Sequence, residues 1–176
     1  MTTKNAELAL ECKRQSESCL YTSTALFIWL RWLRALKVVF LIVPLVLGSL
    51  ASWQALKQSD FQSVKLFTSL CAFLAGLLPT VYAALKLDHH LTECCHLAGE
   101  FKNLQDRFRQ AALVSARKPF AEFEQDVAPL MRRLEKARST SYTSPEWCFR
   151  EAQKKIKKGD YDFDVDLGQL NASPEV

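Results

Sequence analysis

Two stretches of this chain carry no charged side chain, and they limit what it can fold into more than any other feature. The first is 38–56, VVFLIVPLVLGSLASWQAL; the second is 66–85, LFTSLCAFLAGLLPTVYAAL. At about 1.5 Å per residue each makes a helix of about 30 Å, the thickness of a bilayer's hydrocarbon core. Both are apolar all the way round, where a surface helix of a soluble protein shows one apolar stripe. The first holds 11 Leu, Ile, Val or Phe residues and the second 9. At about −0.3 to −0.6 kcal/mol each, the gross insertion terms are about −3 to −7 and −3 to −5 kcal/mol. Pro, Gly, Ser, Thr and Gln subtract from both sums, which leaves the second span marginal on its own. The short link 57–65 forces the spans antiparallel, so they are expected to insert as a hairpin. A soluble protein of 176 residues has little chain left with which to bury two such helices.

Charge sets the expected orientation. Arg31, Arg34 and Lys37 precede the first span, and Lys86, Lys102, Arg107 and Arg109 follow the second. The link holds only Lys57 and Lys65, partly offset by Asp60. This bias predicts a multi-pass membrane protein with both termini in the cytoplasm. A net charge of +4 suits a cytoplasmic membrane surface and is too small to argue for nucleic acid. The start, MTTKNAELALECKRQSE, lacks the basic lead and short apolar core of a cleavable signal. Six cysteines, at 12, 19, 71, 94, 95 and 148, show no framework spacing and are expected as free thiols.

The predicted fold class is all-α: a two-helix transmembrane hairpin with a cytoplasmic helical, coiled-coil-like part. Residues 1–37 form the N-terminal juxtamembrane helix, and 5–37 run into the first span. Its end, WLRWLRALK, puts arginines beside Trp29 and Trp32, as a membrane–water interface selects. Residues 38–85 are the hairpin, 86–159 the cytoplasmic helical region and 160–176 an acidic tail. Small residues repeat every fourth position: Gly48 and Ser52 in one span, Ala72, Gly76 and Thr80 in the other. They either pack the hairpin or face neighbouring subunits and an aqueous path. Ser49, Gln54, Thr68 and Ser69 join them as the polar candidates for a pore lining. Pro44 and Pro79 lie at similar distances from the link and make either a hinge or two tolerated bends.

Beyond the spans, Leu87, Leu91, Cys94, Ala98, Phe101, Gln105, Phe108 and Ala112 step by fours and threes. This heptad seam, with Leu91, Ala98, Phe101 and Phe108 at its centre, is expected to pack on the second seam described next, on the N-terminal helix or on other subunits, and is the candidate contact for a homo-oligomer. After Pro119 a second seam runs Phe120, Phe123, Val127, Leu130, Leu134, Ala137. Pro129 interrupts it and predicts a kink or two short helices. A last helix is expected from an N-cap at Ser144, with Pro145 at its first position, to a stop at Gly159. Trp147 and Ile156, with Phe149 and Ala152, would dock it. The alternating aspartates of DYDFDVDLG fit no calcium loop, since neither register puts Gly at its sixth position or Glu at its twelfth.

Chemistry-bearing clusters are few. His89, His90, Cys94, Cys95 and His96 crowd just past the second span. On a helix His90 and Cys94 share a face, one half of a zinc site whose other half is not evident elsewhere. No Gly-rich phosphate loop, nucleophile elbow or HExxH is present. The expectation is therefore no metal, no cofactor, no catalytic residue and no enzyme.

The order of these parts resembles a known family. WLRWLRALK leads into two spans with a tight link. HHLTECCHLAGEFKNLQDRFRQ, LMRRLEKARSTS and SPEWCFREAQKKIKKGDYD follow. Together they look like the SLATT family, the SMODS- and SLOG-associating two-transmembrane effectors. The resemblance covers nearly the whole chain and rests on layout, without a sharp motif. It implies a pore-forming, cell-suicide effector of bacterial conflict, acting beside cytoplasmic nucleotide-signalling or reverse-transcriptase partners. It offers no catalytic residues. The alternative is a passive membrane-anchored scaffold without conduction.

Overall fold

The computed structural model describes residues 3–56, 62–139 and 142–160. Five α-helices and one 3-10 turn make up these residues, with no strand among them. The helices are α1 (Thr3–Leu56), α2 (Gln62–Ala84), α3 (Leu87–Leu113), α4 (Phe120–Arg138) and α5 (Glu146–Lys157); the 3-10 turn is Ser115–Arg117. α1 and α2 are long and apolar enough to cross a membrane. The chain divides into two compact units, Met1–Trp29 with Cys95–Val176, and Leu30–Cys94. The expected tail 160–176, apart from Asp160, and most of the link lie outside the described residues.

In the first unit α1 presents a buried seam of small residues: Asn5, Ala9, Cys12, Cys19 and Ser23, then Leu26. Their spacing by threes, fours and sevens keeps them on one face. Small side chains let another helix come close, and the Ser16 hydroxyl donates to the backbone carbonyl of Gln105 in α3 at 3.0 Å. From α3 come Leu97, Ala98, Phe101, Leu104, Phe108, Ala111 and Ala112, and from α4 Phe123, Val127, Leu134 and Ala137, all buried. α5 sets Cys148 and Ala152 against Ala25, with Ile28 and Trp29 packed alongside. Trp147 meets Trp29 edge-on at 6.1 Å, and Phe149 lies 6.2 Å from Tyr21. Ile156 is half-buried, so the docking face expected of α5 is present, with Cys148 at its centre.

Polar ties close the ends. Asn5, buried, donates from Nδ2 to the carbonyls of Ala116 and Lys118 at 3.2 and 2.9 Å, fastening the start of α1 to the 3-10 turn. Arg133 grips Glu100 with two bonds of 3.0 Å, joining α4 to α3. Arg138 donates to Gln15 and Ser18 of α1 at 3.0 and 3.2 Å. Burial pushes the thiols of Cys12 and Cys19 up to about 11, with Glu11 adding to the first and Arg138 opposing the second. These are packing groups, and neither is a thiolate at neutral pH.

Two local expectations need correction. Pro129 does not divide α4 into two short helices; α4 runs unbroken through it. Pro129 and Gln125 are both exposed, so the carbonyl that the proline leaves without a partner belongs to the solvent side of the helix. Ser144 is not the N-cap of α5. Pro145 occupies that position with extended ψ of 148°, its carbonyl accepting from Cys148 N at 3.0 Å, and no side chain caps the helix. The stop at Gly159 does form: its φ is 86°, and its N–H donates to Ile156 O at 3.1 Å. Only glycine takes that backbone cheaply.

The second unit is the hairpin. On α2 the covered or half-covered positions are Val64, Thr68, Cys71, Ala75, Leu78 and Tyr82, with Leu74 beside them; on α1 they are Leu30, Leu33, Lys37, Phe40, Pro44, Leu47, Gly48 and Ala51. Both sets follow a three–four spacing, one seam per helix. The remaining apolar surface is open: Leu45 is 71% exposed, Leu66 76% and Phe73 64%. α2 stops at a left-handed residue, Lys86, with φ 46°. Its carbonyl accepts from His89 N and His90 N at 3.0 and 3.2 Å, so the residue that ends α2 also starts α3.

Candidate functional site

The candidate site is the hairpin, built outward from its seam. Pro44 and Pro79 border one apolar cleft of about 440 Å³, with Phe40, Leu41, Leu45 and Tyr82 completing its wall. Each proline lacks the N–H that would bond four residues back, yet both helices continue through them. The rings of Phe40 and Tyr82 are 6.1 Å apart at one end of the cleft. Beyond them Lys37 Nζ donates to Asp88 Oδ1 at 2.6 Å. That hydrogen bond, then one from Tyr82, holds the Asp88 carboxyl below its ordinary range. The same bond to Asp88 holds the Lys37 ammonium above its ordinary range. Arg31, Arg34 and Lys86 are exposed near this end of the sequence spans.

The small and polar residues do not share one environment. Gly48 borders the seam, yet a Cβ built on it would meet nothing within 4 Å. Ala72, Gly76 and Thr80 all lie on the exposed side of α2, and a Cβ on Gly76 would likewise meet nothing. The stripe on α2 therefore does not pack this hairpin, whose seam runs instead through Thr68, Cys71 and Ala75. Hydroxyls are turned onto their own helices. Ser49 donates to Leu45 O at 2.8 Å, Ser52 to Gly48 O at 2.9 Å and Thr68 to Val64 O at 2.8 Å. Ser69 donates to Lys65 O at 3.0 Å, and Thr80 to Leu77 O at 2.6 Å. A hydroxyl satisfied in this way tolerates an apolar surrounding. The Gln54 side chain lies outside the described residues.

On the heptad seam of α3, Ala98, Phe101 and Phe108 are covered by the chain's own residues, which is one of the packings expected of this seam. Leu91 is half-buried.

The histidine–cysteine cluster also sorts itself. Cys94 is fully buried while His90 is exposed. His89, His90 and Glu93, all exposed, converge instead, with ligand atoms within 4.8 Å of one another. Glu93 was not among the residues singled out in the sequence. The signal was present in its i+4 spacing from His89.

No family model, no curated protein and no solved structure matches this chain.

Proposed function

We propose that the chain is a two-span, pore-forming effector of a bacterial conflict system, inserted in the inner membrane with both termini in the cytoplasm. The observation that carries the reading is the open side of α2. A helix long and apolar enough to span a bilayer leaves Ala72, Gly76 and Thr80 uncovered, and Gly76 has no neighbour within 4 Å of a Cβ position. Small residues at that spacing permit close helix contact in lipid, so several hairpins can associate through them. Two helices enclose no water; a ring of hairpins does. No charged residue lies within 38–56 or 66–85, so the pore would select weakly between ions. The resemblance to SLATT effectors supplies the biological setting and a cytoplasmic nucleotide-signalling or reverse-transcriptase partner. The chain works without an enzyme's chemistry.

Strong expression, or activation by the natural trigger, then depolarises the cell, read with a voltage-sensitive dye and matched by ion flux from proteoliposomes. Leu at Ser52 or Thr80 should blunt both signals while insertion persists. Reporter fusions at each terminus and at Asp60 fix the topology; an active periplasmic reporter at a terminus ends the hairpin reading. A membrane-anchored scaffold is the second reading, favoured by the hydroxyls of Ser49, Ser52, Ser69 and Thr80, each bonded to its own helix. An assembled, inserted protein that never depolarises under its trigger decides for the scaffold.

A further inference from the structure

We infer that His89, His90 and Glu93 form a binding site for a zinc-class divalent ion on the first turns of α3. All three belong to the second unit and all three are exposed. His89 Nδ1 lies 3.4 Å from Glu93 Oε2. Two ligands held at about 2.1 Å by a tetrahedral zinc stand about 3.4 Å apart. One edge of the coordination polyhedron therefore has its length already. The other separations, all within 4.8 Å, close by rotation of exposed side chains without backbone movement.

The two imidazoles are successive residues, with ring centroids 6.1 Å apart and planes at 85°. Side chains at neighbouring helix positions diverge by about 100°, and one turn later Glu93 falls between them, at i+4 from one and i+3 from the other. The three side chains make a triangle over a single turn. The backbone beneath is pinned: His89 N and His90 N both donate to Lys86 O, and Leu87 and Cys94, each one turn from His90, are buried. Two imidazole nitrogens and one carboxylate oxygen suit zinc and its first-row neighbours, whereas calcium and magnesium prefer all-oxygen sets. Water takes the remaining position. A bound ion clips the start of α3 across one turn, directly after the left-handed Lys86.

The test uses the full chain, purified without a histidine tag, in nanodiscs, titrated with zinc chloride against a competing chelator dye. One equivalent of zinc per chain is expected. Replacing His89 and His90 by Ala and Glu93 by Gln together abolishes it. Each single replacement weakens binding more than about tenfold, since even residues behind the ligands are worth that much at metal sites. Cys95→Ser and His96→Ala, changes at exposed neighbours on the same helix, leave the affinity unchanged. Circular dichroism confirms that every variant retains its helix. Zinc retained equally by the triple variant, zinc lost with Cys95 or His96 instead, or no zinc retained by the parent chain overturns the assignment.

Discussion

The two units of this chain use the same apolar residues in opposite ways. In the first, Phe108 and Phe123 are wholly buried while Arg133, Arg138 and Lys118 reach outward to ion pairs and hydrogen bonds. In the second, Phe73, Leu45 and Leu66 are mostly exposed, and the covered seam includes Thr68, Cys71 and Gly48. Apolar surface left open to water forgoes about 25 cal/mol per square ångström. On the membrane reading proposed above, the difference separates two solvents: one unit is organised to exclude water, the other to lie in a medium as apolar as its own side chains.

The contrast breaks first at the aromatic residues. Phe108→Ala empties a closed core and should cost about 3–5 kcal/mol in denaturant unfolding of the detergent-solubilised protein. Phe73→Ala, on the open face of α2, should move the same measurement by no more than about 0.5 kcal/mol. Equal losses at both sites would erase the distinction between the units. Next comes Asn5→Ala, which removes both bonds to the 3-10 turn and leaves two carbonyls short of a donor. A loss of about 1–3 kcal/mol is expected, seen as fraying of the first turns of α1 in hydrogen exchange. In the hairpin unit, Lys86→Gly should stabilise by about 1 kcal/mol because glycine takes a φ of 46° without the clash of a Cβ, whereas Lys86→Val should destabilise by at least as much. Thermal unfolding of the two variants ranks them.

The smallest effect is a pH dependence in the first unit. The hydrogen bond from Lys118, then one from Ser115, holds the Asp126 carboxyl below its ordinary 3.8. Its contribution is whole above pH 3.8 and disappears as pH falls through the lowered value. The same bond to Asp126 holds the Lys118 ammonium above 10.5, so its contribution is whole below that pH and disappears as pH rises through the raised value. Both groups are exposed, and solvent screens the pair. Asp126→Asn should therefore lower the melting temperature slightly at neutral pH and leave it unchanged in strong acid.

The parts that the sequence made legible are those where the solvent-facing pattern is sharp. Two uncharged runs produce two helices fit to span a membrane, the heptads of Leu87–Leu113 become a buried face, and Gly159 ends α5. The seam of α1 escaped notice because Asn5, Ala9, Cys12, Ser16 and Cys19 are too small or too polar to register as an apolar stripe, although their spacing is regular. Burial by close approach leaves little hydrophobic signal. The fate of Phe101 and Phe108 was illegible for another reason: a heptad says that a face is covered, not by which chain. The orientation of Ala72, Gly76 and Thr80 depended on the rotation of α2 about its axis, and in an all-apolar helix no polar face fixes that angle. Lys86 carried no signal at all, since nothing in a lysine announces a left-handed backbone.

Gly76 has one more use. With empty space where its Cβ would stand and an ordinary helical backbone, an added methyl there strains nothing in the isolated chain. Helix propensity alone would make Gly76→Ala favourable by about 1 kcal/mol. The position is thus a silent probe that turns loud only in company. If the altered hairpin loses self-association in a bilayer while its monomer gains helical stability, the methyl has struck a neighbour. Gly48, equally bare, supplies the matched probe on the other helix, and the two together would triangulate where a second molecule lies.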